Sequence, residues 1–368
     1  MPIYMDRHDV SEAVTAEIVA QLHHEDLKIQ HKYNCRGLTY WFDDVRKTAF
    51  CLVEAPNKEA IKLMHDNAHG EVPHRIIEVD NALVESFLGR IEDPEKSQDT
   101  SLNIINDPAF RVLMVIETSN YLDRLQANQF SIFTQKFHNS VFKTIKKLNG
   151  NIVRNDNNSY LVSFKSVTNA ILCAKKIQYQ YNYVSSKLGT SHGKLKIALC
   201  TGIPVTDKDN LFEEAINLAT HMCNIVKESF VITSEVNALY ESENRNATID
   251  KEPIRILSPL EEKFVTHIME VMSFIWNKPE VAVNNFSEAM GYSKSQLYRK
   301  LIGVTGLSPN TFLKEFRLHK ALHLLQLKYG NISEVAFDVG FNSPAYFSKC
   351  FLEKYGMLPS TYIQQYGL

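Results

Sequence analysis

Long apolar runs are missing from this 368-residue chain, and no segment approaches the roughly 20 consecutive apolar residues that a bilayer-spanning helix needs. The first residues, MPIYMDRHDV, lack the basic start and apolar stretch of a signal peptide. A cytoplasmic location without membrane contact is therefore expected. Paired cysteines are missing too. Cys35, Cys51, Cys173, Cys200, Cys223 and Cys350 are scattered with no CxxC spacing, which argues against a disulfide framework and a zinc ribbon and fits a reducing compartment. An excess of positive charge is also absent, because the net charge is −2, so any nucleic-acid binding must come from a local surface. From residue 258 onward, 11 Lys and Arg stand against 9 Asp and Glu, an excess too small to argue from. With 44% hydrophobic and 22% charged residues, the chain is neither disordered nor fibrous in composition.

Histidine is present in quantity and unevenly placed. Seven of the 13 precede residue 81: His8, His23, His24, His31, His65, His69 and His74. Two polar stretches, residues 89–108 and 241–257, read as linkers. They divide the chain into blocks 1–88, 109–240 and 258–368. In the first block, extended PIYMD, a helical pattern over 14–33, two strands around a turn at 43–47, a helix over 56–68 and the strand RIIEVD give the order βαββαβ. That order implies a ferredoxin-like α+β sandwich. The second block alternates a strand at 112–117, a helix over 122–148, a hairpin in NIVRNDNNSYLVSF, a helix over 167–184, a strand KLKIALCTG, a helix over 213–227 and a strand FVITS, again α+β. The third block is nearly all helical and carries turn signals at Gly291, Gly303, Gly306, Gly330, Gly340 and Gly356.

The third block contains an internal repeat, FSEAMGYSKSQLYRKL over 286–301 and VAFDVGFNSPAYFSKCF over 335–351. Each copy has a small residue four positions before a glycine, Ser287 before Gly291 and Ala336 before Gly340. The small residue lets two helices cross closely, and the glycine permits the positive φ of the turn between them. An aromatic follows each glycine (Tyr292, Phe341), and a serine opens the next helix. These segments, with the LPSTYI ending, resemble the AraC family of transcription regulators over nearly all of 261–363. The resemblance implies seven helices and two helix-turn-helix units joined by a long helix over 309–327, with the second helix of each unit in the major groove of double-stranded DNA. It places Ser295, Gln296, Tyr298 and Arg299 on the first reading face and Pro344, Ala345, Tyr346 and Lys349 on the second. Arg299 is expected to contact a base, since a guanidinium can bridge two acceptors on guanine. Lys294, Lys300 and Lys349 are expected at phosphates. Pro344 and Ala345 can touch a thymine methyl but cannot read a donor–acceptor pattern.

The middle block resembles class III adenylate/guanylate cyclase domains in VLMVIETSN, the hairpin, KIALCTGIPV and FEEAINLATHM. The chemistry of that family is missing. Two metal-binding aspartates would stand where this chain has Ile116 and Asn158. Glu117 and Asp156 lie one and two positions away from those places, and one position along a strand points to the opposite face. Asn217 is retained, but His221 stands where an arginine would stabilise the transferring phosphoryl group. The block is expected to be a pseudo-enzyme that pairs subunits into a homodimer or binds a small ligand.

In the first block, His65 and His69 are four apart at the end of a helix, which puts both imidazoles on one face and close enough to share a metal. Cys51 in the strand AFCLVEA and His8 after the first strand complete a candidate metal set. Mixed nitrogen and sulfur donors suit Ni²⁺, Zn²⁺ or Cu²⁺ better than hard cations. Residues 2–80 resemble a small family of ferredoxin-like proteins, some described as nickel-binding, which implies nickel as the metal. His23 and His24 are expected at the surface, and His31 and His74 without a clear partner. The leading expectation is a DNA-binding regulator that senses nickel, another transition metal or a small ligand. Two alternatives stand beside it: a nucleotidyl cyclase fused to a DNA-binding domain, which Ile116 and Asn158 oppose, and a metal-storage protein with DNA-binding feedback.

Overall fold

The structure is a computed structural model, described over residues 1–94, 102–120, 127–156, 159–187, 193–244, 254–279 and 283–366. The first block runs β1 (Ile3–Asp9), α1 (Ala16–Ile29), β2 (Arg36–Asp43), β3 (Thr48–Glu54), α2 (Lys58–Ala68) and β4 (Arg75–Val79). The strands lie in the order β2-β3-β1-β4, every neighbouring pair antiparallel. Thr15 and Asn57 cap α1 and α2 by accepting backbone N–H groups that have no partner inside the helix. β1 extends to Asp9, so His8 lies within the strand rather than after it.

Because side chains alternate along a strand, this sheet has two distinct faces. Tyr4, Tyr40, Phe42, Ala49, Cys51, Val53 and Ile76 share a core with Val19, Ala20, Ile61 and Met64 of the two helices. Met5, Trp41, Phe50, Leu52 and Ile77 belong to another core, shared with the middle block. Burial at about 1.5–3 kcal/mol per large apolar side chain makes this second face a strong joint between the blocks. A further helix, α3 (Asn81–Leu88), closes the first block. Its eight residues are too few to show a helical period, and the sequence pattern did not announce it.

The middle block contains β5 (Arg111–Asn120), α4 (Ala127–Lys147), β6 (Asn151–Asp156), β7 (Ser159–Phe164), α5 (Val167–Lys187), β8 (Gly193–Gly202), α6 (Glu213–Ile225), β9 (Phe230–Ile232), α7 (Ser234–Glu243) and β10 (Arg255–Ile256). Its sheet has the order β10-β9-β8-β5-β7-β6, parallel at β8–β9 and β9–β10 and antiparallel elsewhere. Val112, Met114 and Ile116 of β5 pack with α4 and α5. Leu113 and Val115 pack with α6 and the first-block sheet. Both faces are covered, which is why β5 reads as an unbroken apolar run. Arg111 is buried, and its guanidinium donates to the carbonyls of Phe87, Leu88, Pro108 and Phe110, tying α3 to β5.

The two polar stretches are packed in their described parts. The Tyr40 hydroxyl donates to the Asn103 carbonyl and accepts the Ile105 N–H, each at 2.8 Å. β10 joins the sheet, and Leu257 is fully buried.

The third block runs α8 (Pro259–Ile275), α9 (Val283–Ala289), α10 (Lys294–Thr305), α11 (Pro309–Gln326), α12 (Ile332–Asp338), α13 (Pro344–Tyr355) and α14 (Pro359–Tyr366). α8 packs on α6, and α8 to α10 share the core that also joins the first two blocks. The last three helices form a separate core with α11, built on Leu318, Val335, Phe347 and Phe351. No described helix is long and apolar enough to cross a membrane.

Candidate metal centre and nucleic-acid interface

His8, Cys51, His65 and His69 come together, and two aspartates that sequence reasoning missed come with them. Asp6 and His8 sit two apart on β1 and face the helices, Cys51 faces the same way from β3, Asp26 comes from α1, and His65 and His69 come from the end of α2. His69 is the cap residue of α2, one position beyond its last turn. Asp6, Asp26 and His65 are buried, and His8 and Cys51 nearly so. Their donor atoms form two groups, Asp6/His8/Cys51 and Asp26/His65/His69, each within 4.8 Å.

His65 joins the two groups. Its Nε2 is 3.0 Å from Asp6 Oδ2, and its Nδ1 is 3.0 Å from Asp26 Oδ2 and 3.3 Å from His69 Nε2. Asp6 Oδ1 accepts the Cys51 N–H at 3.0 Å and lies 3.3 Å from His8 Nε2. Asp26 Oδ1 lies 3.2 Å from His69 Nε2. The last two approaches lack hydrogen-bond alignment, which leaves His8 Nε2 and Asp26 Oδ1 buried without a hydrogen bond among the described residues.

The electrostatics follow from this crowding. Burial alone would push the His65 imidazolium down, but hydrogen bonds to Asp26 and Asp6 outweigh it and hold its pKa at about 10. Burial opposes ionisation of Asp6, yet the charge of His8 and the hydrogen bond from His65 keep its carboxyl below the usual range. Asp26 is lowered in the same way by His65 and His69. Burial, then Asp6 and Asp26, push the Cys51 thiol up. Three imidazoles, two carboxylates and a thiol suit a borderline divalent ion such as nickel, zinc or copper. The two buried polar atoms without aligned partners fit an ion as their missing partner.

Of the remaining histidines, His23 departs from expectation. It is buried, 3.5 Å from Asp93 and against the Tyr40 ring. His74 has a partner as well, since its Nδ1 accepts the Asp9 N–H at 3.1 Å.

In the third block, both expected turns form. Gly291 and Gly340 have φ of +67° and +83°. The following residues donate back across the turn, Tyr292 to the Ser287 carbonyl at 3.0 Å and Phe341 to the Ala336 carbonyl at 2.9 Å. This is the wrapped helix end that a glycine there favours. Ser293 and Ser343 then cap α10 and α13. Lys294, Ser295, Gln296, Tyr298 and Arg299 are exposed on α10, while Ala345, Tyr346 and Lys349 are exposed on α13 with Pro344 half-buried at its start. Gln296 and Lys300 are among those partly engaged within the protein. The Gln296 side chain accepts the Ser293 N–H, and Lys300 Nζ lies 5.3 Å from the Tyr292 ring and 5.6 Å from the Phe264 ring. The repeat announced α10 and α13, whereas Asp26 had no local signal and Asp6 had only its two-residue spacing from His8.

In the middle block, Ile116 is fully buried in the apolar core. Glu117 lies on the other face, where burial pushes its carboxyl up against the pull of Arg154. Asp156 is exposed beside Arg154, and Asn158 lies outside the described residues. Asn217 is exposed, and burial lowers the pKa of His221, on the same helix, against the pull of Glu270 of α8.

Comparison with known proteins matches two family models. Residues 286–365 match a helix-turn-helix domain family, and residues 4–79 match the family described as nickel responsive protein SCO4226-like. Histidine kinase P4 of Formosa agariphila is 34% identical over 111 residues, covering 30% of this chain and 8% of that protein. The HTH-type transcriptional regulator MtrA of Neisseria gonorrhoeae is 31% identical over 120 residues, covering 32% of this chain and 39% of that protein. The crystal structure of SCO4226 from Streptomyces coelicolor A3(2) is 31% identical and covers 21% of this chain and 94% of that one, with a TM-score of 0.20. The chain thus spans less than a tenth of the first relative and about two fifths of the second.

Proposed function

Because the chain carries an AraC-type helix-turn-helix domain at its C-terminus and a SCO4226-like domain at its N-terminus, we propose that it is a DNA-binding transcription regulator that responds to a divalent transition metal, nickel foremost. The observation that carries the DNA half is the repeated glycine-turned helix pair inside the matched segment, with Tyr298, Arg299, Tyr346 and Lys349 exposed on its second helices. α10 and α13 would enter the major groove of double-stranded DNA on successive turns of one face. Arg299 would read a base, and Lys294 and Lys349 would hold phosphates. Lys300 and Gln296 would contribute less, because each is partly engaged within the protein.

The metal half rests on the buried donor cluster. His8, Cys51, His65 and His69 would hold the ion, with Asp6 and Asp26 as further ligands or as acceptors that orient the imidazoles. The ion would supply positive charge among groups that hold protons without it, so uptake would release protons from His65 and Cys51.

The blocks 1–88, 109–240 and 258–368 would be a ferredoxin-like metal domain, a cyclase-like domain without catalysis, and the DNA-binding domain. Ile116 is the strongest reason to deny the middle block its family's reaction, because a buried isoleucine offers no ligand to a metal. With both faces of its sheet covered, pairing into a homodimer would use its outer helices or its edges. Two measurements test the proposal: fluorescence anisotropy with DNA from upstream of the chain's own coding region against scrambled DNA, and calorimetric titration with Ni²⁺. Equal affinity for both DNAs would defeat the regulator, and no Ni²⁺ uptake would defeat the metal half. A cyclic nucleotide formed from ATP or GTP with Mg²⁺ or Mn²⁺ would overturn the pseudo-enzyme assignment.

A further inference from the structure

The three blocks meet at the first turn of α7. Thr233 caps this helix. The next residue, Ser234, donates its backbone N–H and its hydroxyl to Glu262 Oε1 of α8, at 2.8 and 2.9 Å. One position on, Glu235 accepts the Thr201 hydroxyl and lies 3.4 Å from Arg46 Nη2. Adjacent residues of one helical turn therefore grip the first block and the DNA-binding block.

Arg46 is held from both blocks. Its guanidinium lies 3.4 Å over the Phe110 ring and 3.2 Å from Asp43 Oδ2. Asp43 Oδ1 also accepts the N–H groups of Val45 and Arg46, which stiffens the β2–β3 turn. That turn is continuous with the metal cluster. His8 pairs with Ala49, three residues from Arg46, Cys51 lies five residues away, and the Val10 N–H donates to the Lys47 carbonyl. A shift of β1 against β3 at His8 and Cys51 would therefore move Arg46.

On the output side, Glu262 belongs to the helix that packs against α6. A second tie holds the same unit, since the Lys227 N–H donates to the Val304 carbonyl in the last turn of α10, at 3.0 Å. α12 to α14 instead pack in their own core with α11. The first DNA-binding unit is thus built onto the middle block, while the second packs on α11 and on Trp276 at the end of α8.

We propose that the first turn of α7 relays the metal state to the first DNA-binding unit, with Arg46–Glu235 as input and Ser234–Glu262 as output. This relay rests on the metal-responsive function proposed above. A signal passes only if contacts differ between the metal-free and metal-bound states, and this junction is where a moved hairpin changes the seating of α8.

The test uses the full chain, Ni²⁺ and upstream DNA, comparing wild type with Arg46→Ala and Glu262→Ala. For the wild type, Ni²⁺ is expected to change the DNA dissociation constant about fivefold or more, the usual lower end of coupling between sites. Each variant is expected to keep the wild-type Ni²⁺ stoichiometry and metal-free DNA affinity while its metal-induced change falls to about twofold or less. Amide hydrogen exchange adds a readout independent of DNA: Ni²⁺ should alter protection across α7 and α8 in the wild type and not in Arg46→Ala. A wild type indifferent to Ni²⁺ overturns the metal-responsive function and the relay together. A responsive wild type with equally responsive variants overturns the relay alone.

Discussion

Replacing His65 with alanine tests whether the metal-free cluster is held by charge. His65 is 1% exposed and lies between Asp6 at 0% and Asp26 at 3%. Removing one partner of a buried ion pair costs about 3–5 kcal/mol, because the other charge is left unpaired. Here each carboxylate keeps a second imidazole nearby, His8 at 3.3 Å and His69 at 3.2 Å, so the expected loss is near the lower end. Urea unfolding of the metal-free chain would report it through Trp41, which is fully buried, once Trp276→Phe has removed the other of the two tryptophans. His65→Ala should then lose about 3 kcal/mol. A control on the exposed side of the same helix, Leu63→Ala, should stay within about 0.5 kcal/mol. A His65→Ala midpoint indistinguishable from that of the control would refute a charged, paired cluster.

Further outcomes follow from the same contacts. Arg299→Ala should weaken a specific DNA site by about 1–3 kcal/mol in anisotropy titrations and random DNA much less; an equal loss on both would place the guanidinium on phosphate alone. Gly340→Ala should destabilise the second DNA-binding unit by about 1–3 kcal/mol, since φ there is +83° and a Cβ would sit 3.1 Å from the Asn277 carbonyl carbon; calorimetric Ni²⁺ uptake should be unchanged, and a loss of uptake would contradict the separateness of the two sites. The pKa of His65, raised to about 10, contributes stability that is complete below its ordinary value of about 6.5 and disappears as pH rises through 10. The metal-free chain should therefore become easier to unfold between pH 7 and 10. The lowered Asp6 and Asp26 contribute above about pH 4 and lose that contribution in acid. A urea midpoint that climbs from pH 7 to 10 would reverse the assignment.

What could be read from the residues alone was periodic or repeated. The βαββαβ order of the first block, the glycine turns at Gly291 and Gly340, and the long helix from Pro309 were all visible because local spacing determines them. His65 and His69 were visible as a helical pair. Asp26 was not, since nothing in the α1 pattern says that its carboxylate meets α2 across the sheet face. α3, α7 and β10 were missed because each is short and owes its place to tertiary contacts, Arg111 at the end of α3 and Glu262 at the start of α7. His23 looked like a surface residue because its partner Asp93 lies 70 positions on, in a stretch that reads as linker. The joint between blocks was hidden for a related reason: Met5, Trp41 and Leu52 look like ordinary strand interior, and only the fold puts them against a second sheet.

The most direct measurement is the affinity of the full chain for labelled DNA from upstream of its own coding region, titrated with and without Ni²⁺ and repeated with His65→Ala/His69→Ala. Ni²⁺ should change the wild-type affinity about fivefold or more and leave the double variant unmoved. Wild-type affinity that is the same with and without Ni²⁺ would contradict a metal-responsive regulator.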